Sequence, residues 1–203
     1  DRTSDKGTIS IGFVQEALVG VRERGFDALD LLNRAGISPE LLNAPQARVS
    51  SAHFGLLWHL IAEAMDDEFF GMDSHPMKAG SFTLLCHSVI HCDTLERALR
   101  RALRFFRLIL DDMEGELQAN GETARVVIRE RHSEPGRAFA CGTFLIMLHG
   151  LACWLVGRRI PLDSARFRCA EPPYSPEWRV LFSPDLRFGE PETAIAFPAE
   201  FLA

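Results

Sequence analysis

The chain has 203 residues, 47% of them hydrophobic and 25% charged, with a formal net charge of −6. That length and apolar share are enough to bury a sizeable core. The acidic balance is the reverse of that of a free-standing DNA-binding domain, whose surface carries a basic excess.

Five cysteines (Cys86, Cys92, Cys141, Cys153, Cys169) are an odd number without a CxxC pair. They read as reduced structural thiols and not as a disulfide framework. No signal peptide opens the chain. The longest apolar stretch, 144–156, is interrupted by His149 and is too short to span a bilayer. The expectation is a cytoplasmic protein with no membrane partner.

A polar, disordered segment is expected over residues 1–8. Ile11, Val14, Leu18 and Val21 follow helical spacing, with Gly25 as the C-terminal stop. A short helix is predicted over 27–35. Ser38-Pro39-Glu40, a cap with proline at the first helical position, opens another over 39–43. Ser50 or Ser51 caps a helix whose stripe is Phe54, Leu57, Trp58, Ile61 and Met65. A further helix covers about 81–90. Asp93-Thr94-Leu95-Glu96 has capping-box form and opens a helix with Leu95, Leu99, Ala102, Phe106 and Ile109 on one face.

The period then changes from 3.6 to 2. Runs 113–118 and 123–130 flank Ala119-Asn120-Gly121-Glu122, a hairpin signal. A helix over about 136–158 is apolar nearly all round and is predicted to be buried. Short strands follow near 165–169, 186–188 and 193–197, with a short helix over 176–182 after Pro172-Pro173-Tyr174. The fold class is α+β: a helical N-terminal part, then an antiparallel sheet with a long buried helix packed on it. There is no βαβ alternation and no phosphate loop.

Three groups of residues can carry chemistry. His87 and His91, four apart on a predicted helix, can share a face, but Cys86 and Cys92 point elsewhere and leave the ligand set short of a metal site. No metal or other cofactor is expected. His149 and Cys153 are close enough along one helix to interact, yet no third group orients them as a catalytic couple. No enzymatic activity is expected. Arg97, Arg100, Arg101, Arg104 and Arg107 form a basic run that reads as a solvated face, with Glu96 pairing Arg100; an anion or DNA contact is the sharper alternative, and a domain–domain contact is the middle case.

The order of four stretches resembles the N-terminal, arabinose-binding-like effector domain of one branch of AraC-family transcription regulators. They are 31–37 (LLNRAGI) with Leu41-Leu42 and Arg48-Val49-Ser50; Ala79-Gly80-Ser81-Phe82 with Thr94-Leu95-Glu96-Arg97-Ala98-Leu99 and Phe105-Phe106; Phe144, Leu148 and Leu151; and Pro172-Pro173-Tyr174, Phe182, Leu186, Phe188, Ile195-Ala196-Phe197 and Leu202. The resemblance runs from about Ile9 to Leu202.

It implies one effector-binding and dimerising domain over residues 9–203. It also implies a small-molecule effector, a homodimer, and DNA contact only through a helix-turn-helix domain expected beyond residue 203. A pocket in such a chain is mostly apolar with a few polar points, so the expected ligand is hydrophobic or amphipathic. The expected lining is His87, Arg101, Phe106, Phe144 and His149. A haem- or gas-sensing domain and a ligand-free dimerisation module stay open as alternatives.

Overall fold

The computed structural model describes residues 7–203. Most of the segment expected to be disordered, residues 1–6, lies outside the described residues; Thr8 opens a strand. The chain divides into two compact units: residues up to Met72 with Pro76–Ala79, and Asp73–His75 with Gly80–Ala203.

The first unit is helical. Strand β1 (Thr8–Ser10) pairs antiparallel with β2 (Arg48–Ser50), and α1 (Ile11–Glu23), α2 (Ala28–Arg34) and α3 (Ser51–Met65) pack around them. Pro39–Asn43 is a 3-10 helix. The two three-residue strands interrupt what the sequence presents as a purely helical stretch. Side-chain caps fix the helix starts: Ser10, Asp27 and Ser50 accept from Gly12, Asp30 and His53 amides. Gly25, at φ +76°, ends α1 as expected. The buried Asp67 carboxylate accepts from the amides of Phe69, Gly71 and Met77 and pins the loop after α3.

The second unit carries α4 (Ser81–Val89), α5 (Leu95–Ile109), β3 (Met113–Asn120), β4 (Thr123–Glu130), α6 (Ala138–Val156), β5 (Ser164–Arg166), α7 (Ser175–Leu181), β6 (Leu186–Arg187) and β7 (Thr193–Pro198). Its sheet has the order β3-β4-β7-β5-β6. All pairings in it are antiparallel except β5 with β6, which is parallel. Asn120 pairs with Thr123, so the hairpin turn shrinks to Gly121-Glu122, with Gly121 at φ +62°. That is two residues tighter than the sequence suggests, because Ala119 and Asn120 stay in the ladder.

One face of this sheet is apolar: Leu117, Ala124, Val126, Ile128, Ala165, Ile195 and Phe197 are buried. The other carries ion pairs, including Arg129–Glu116 at 2.6 Å, Arg166–Asp185 at 2.9 Å and Arg125 with Glu192. Helix α6 fills the apolar side. It is the one helix among the described residues long and apolar enough to cross a membrane, longer than the 144–156 stretch implies. Most of its residues are nevertheless buried within the unit, the signature of a core helix. Gly142 of α6 lies against the Trp178 ring so closely that a Cβ has no room. The Phe106 and Phe144 rings meet at 4.9 Å and join α5 to α6.

Thr94, not Asp93, is the cap of α5: its hydroxyl accepts from the Arg97 amide. Asp93 instead receives the Arg97 guanidinium at 2.8 Å, and Glu96 receives Arg100 as the spacing predicts. Beyond α5 the chain is tied by Asp73, whose buried carboxylate accepts from the amides of His75, Asp111 and Asp112.

Candidate functional site

Helix α5 lies beside β3, an outer strand of the sheet, and the two enclose a groove. Its volume is about 700 Å³ and its walls are Arg100, Leu103, Arg104, Arg107, Leu108, Gly115, Glu116 and Leu117. Spacing explains the wall. Positions 100, 104 and 107 fall on one side of the helix, and Leu103 and Phe106 turn inward. Gly115 is required at the bottom: a Cβ there would stand 2.6 Å from Leu103 and 3.3 Å from the Phe144 ring. The floor is therefore apolar and tightly backed, and the rim is cationic. Leu108 stands on the rim at 78% exposure.

A smaller pocket of about 350 Å³ adjoins it, shares Arg107, and is lined by Leu110 to Glu114 and Arg129 to Arg131.

The rim arginines differ in their engagement. Arg100 donates to Glu96 at 2.8 and 3.0 Å and to the Leu117 carbonyl at 3.4 Å. Arg107 sits 3.5 Å from Glu114. Glu116 is held by Arg129. Arg104 has no ion pair or hydrogen bond among the described residues.

The five residues expected from the sequence to line a pocket do not converge on this groove. Phe106 and Phe144 touch one another, and Phe144 backs the groove floor, but both are fully buried core residues. Arg101 turns away and donates to the Ser88 carbonyl at 2.8 Å, holding the end of α4. His87 is exposed on α4, and His91 lies past the end of that helix. No metal-type group of three or more His, Cys, Asp or Glu occurs among the described residues.

His149 is committed elsewhere. Its Nε2 lies 2.8 Å from the Ile160 carbonyl and 3.4 Å from the Cys153 sulfur, and the Ile160 amide donates to that same sulfur at 3.3 Å. The network ties the C-terminal end of α6 to the following segment. Burial lowers the His149 pKa below its ordinary 6.5 and the Arg159 charge adds to this, while the Ile160 hydrogen bond works in the opposite direction. The Cys141 thiol is buried on α6 and pushed far up by desolvation and the nearby Glu130 carboxylate; burial pushes Cys169 up to about 11. Neither is set up as a nucleophile, since reactivity follows the thiolate.

Leu108, Gly115 and Glu116 carry no signal of the groove in the sequence, and Arg104 stands there only as one of the basic run. The arginine run was visible, but not which of its members faces an outer strand.

Residues 25–203 match the family model described as the arabinose-binding domain of AraC transcription regulators, N-terminal. The chain belongs to that family. It is a transcription-regulator family of ligand-binding domains and not an enzyme class. Among curated proteins the chain is 24% identical over 200 residues to an ornithine utilization regulator of Pseudomonas aeruginosa. The match covers 96% of this chain and 58% of that regulator, so the chain spans little more than half of its relative's length.

Proposed function

We propose that residues 9–203 act as the effector-sensing and dimerising part of a cytoplasmic, AraC-type transcription regulator, with the α5–β3 groove as the effector site. DNA contact belongs to an attached helix-turn-helix domain. The observation that carries this reading is the groove itself. It is an open space of about 700 Å³ with an apolar floor and a few charged groups at its rim, the composition of a small-molecule site. A hydrophobic or amphipathic metabolite suits that floor better than a sugar, whose hydroxyls would face Leu103, Gly115 and Leu117.

The mechanism is a population shift. An effector that binds one arrangement of α5 and β3 more tightly favours that arrangement, and it moves the regulator by no more than its differential affinity for the two. Helix α5 walls the groove and exposes its arginine face, so it is the responsive element.

A thermal-stability screen of a metabolite panel tests the reading, because a ligand binding only the folded state at 100 times its Kd stabilises by about 2.7 kcal/mol. Apolar and amphipathic compounds should raise the melting temperature, and Leu108→Asp should cancel the rise. Stabilisation by sugars alone, or by compounds indifferent to Leu108→Asp, removes the groove from consideration.

A further inference from the structure

The groove's charges do not cancel, and the remainder points to what it binds. Arg100 is answered by Glu96, Arg107 by Glu114 and Glu116 by Arg129. Arg104 alone among the charged groove-lining side chains has no partner among the described residues. One cation therefore stands uncompensated, one helical turn from each of two others, over a floor made by Leu103, Gly115 and Leu117.

We infer that the groove takes a monocarboxylate with an apolar body, its carboxylate on Arg104 and its body along Leu103, Leu117 and Leu108. This rests on the groove being the effector site. The planar guanidinium fork donates two parallel hydrogen bonds to a carboxylate. Its face also stacks on flat aromatic groups, so an aromatic body is accommodated as readily as an aliphatic one. A neutral amphiphile would leave Arg104 unanswered. A dianion would exceed the single available charge unless it broke the Arg100–Glu96 or Arg107–Glu114 pair.

Calorimetric titration of the chain separates these cases, using 4-phenylbutyrate, its neutral isostere 4-phenylbutyramide, and phenyl phosphate as the dianion. The acid should bind at least ten-fold tighter than the amide. Arg104→Gln should bring that ratio close to one, and Arg97→Gln, on the same helix but outside the groove, should leave it unchanged. Because Arg104 is exposed and unpartnered, its substitution should not disturb folding. Circular dichroism of the variant checks that directly.

Equal affinities for acid and amide in the unaltered chain overturn the carboxylate assignment and leave the groove standing as an apolar site. A preference for the acid that survives Arg104→Gln, or that falls equally in Arg97→Gln, removes Arg104 as its seat. Tighter binding of phenyl phosphate overturns the single-charge match. Absence of binding by both acid and amide at millimolar concentration overturns the inference together with the groove's role as the effector site.

Discussion

Helices α5 and α6 lie in the same unit, touch through Phe106 and Phe144, and differ in almost everything else. α5 carries five arginines opposite a stripe of Leu95, Leu99, Ala102 and Phe106; α6 carries no charged residue over its 19 positions. A helix apolar on all sides is enclosed and spends its side chains on packing. A helix with two faces forms a boundary with solvent, and a groove opens where that boundary meets an outer strand. The polar residues inside α6 illustrate the point: His149 Nε2 and the Cys153 sulfur are engaged with each other and with Ile160.

The contrast can be broken most severely on α6. Phe144→Ala should cost about 3–5 kcal/mol, the range for deleting a fully buried aromatic ring, read from the denaturant midpoint at constant m-value. An effect below that of an ordinary surface change would mean that α6 is not the centre of the core. Next in size is Gly142→Ala. The added methyl has no space beside Trp178, and overpacking of this kind costs about 1–3 kcal/mol. The emission of Trp178, the most enclosed of the three tryptophans, should shift as its ring is displaced.

Acidification gives a subtler separation. The folded His149 imidazole is held below its ordinary 6.5, so protons favour the unfolded chain. Its contribution to stability is whole above pH 6.5 and is lost as the pH falls below that value toward the folded pKa. Unfolding midpoints measured between pH 5 and 8 should show a steeper acid decline in the unaltered chain than in His149→Gln. Parallel curves would mean that the imidazole is solvated.

Smallest of all is Arg97→Ala on α5. Its ion pair with Asp93 is exposed on both sides, and such pairs are worth about 0.3–0.5 kcal/mol. The midpoint should barely move. A large loss would make the basic face structural and would weaken the view of α5 as the adaptable element.

The long helices and the hairpin were legible in the sequence because each repeats a period several times: the stripe of α5, the apolar run of α6, and the alternation of β3 and β4. The short pieces were not. β1 and β2 have three residues each, too few for a period to establish itself, and the parallel partnership of β5 with β6 depends on contacts far apart in sequence. The pocket residues expected from the sequence are polar or aromatic groups on α4, α5 and α6. Phe106 and Phe144 have that character because they belong to the core, His149 is held by Ile160 and Cys153, and Arg101 is spent on Ser88. What distinguishes Arg104 is a neighbouring strand that the chain reaches only after another turn, and no local pattern reports it.

The Arg100 contact with the Leu117 carbonyl has a consequence for the behaviour of the chain in crowded solution. The sheet ends on one side in β6, two residues long, which offers little for a stranger to pair with. It ends on the other in β3, eight residues long, a ready template for unwanted strand addition. The guanidinium occupies one of the carbonyls on that open margin, and Glu114 and Glu116 place charge along it. The helix that walls the groove thus also guards part of the sheet's longer open edge.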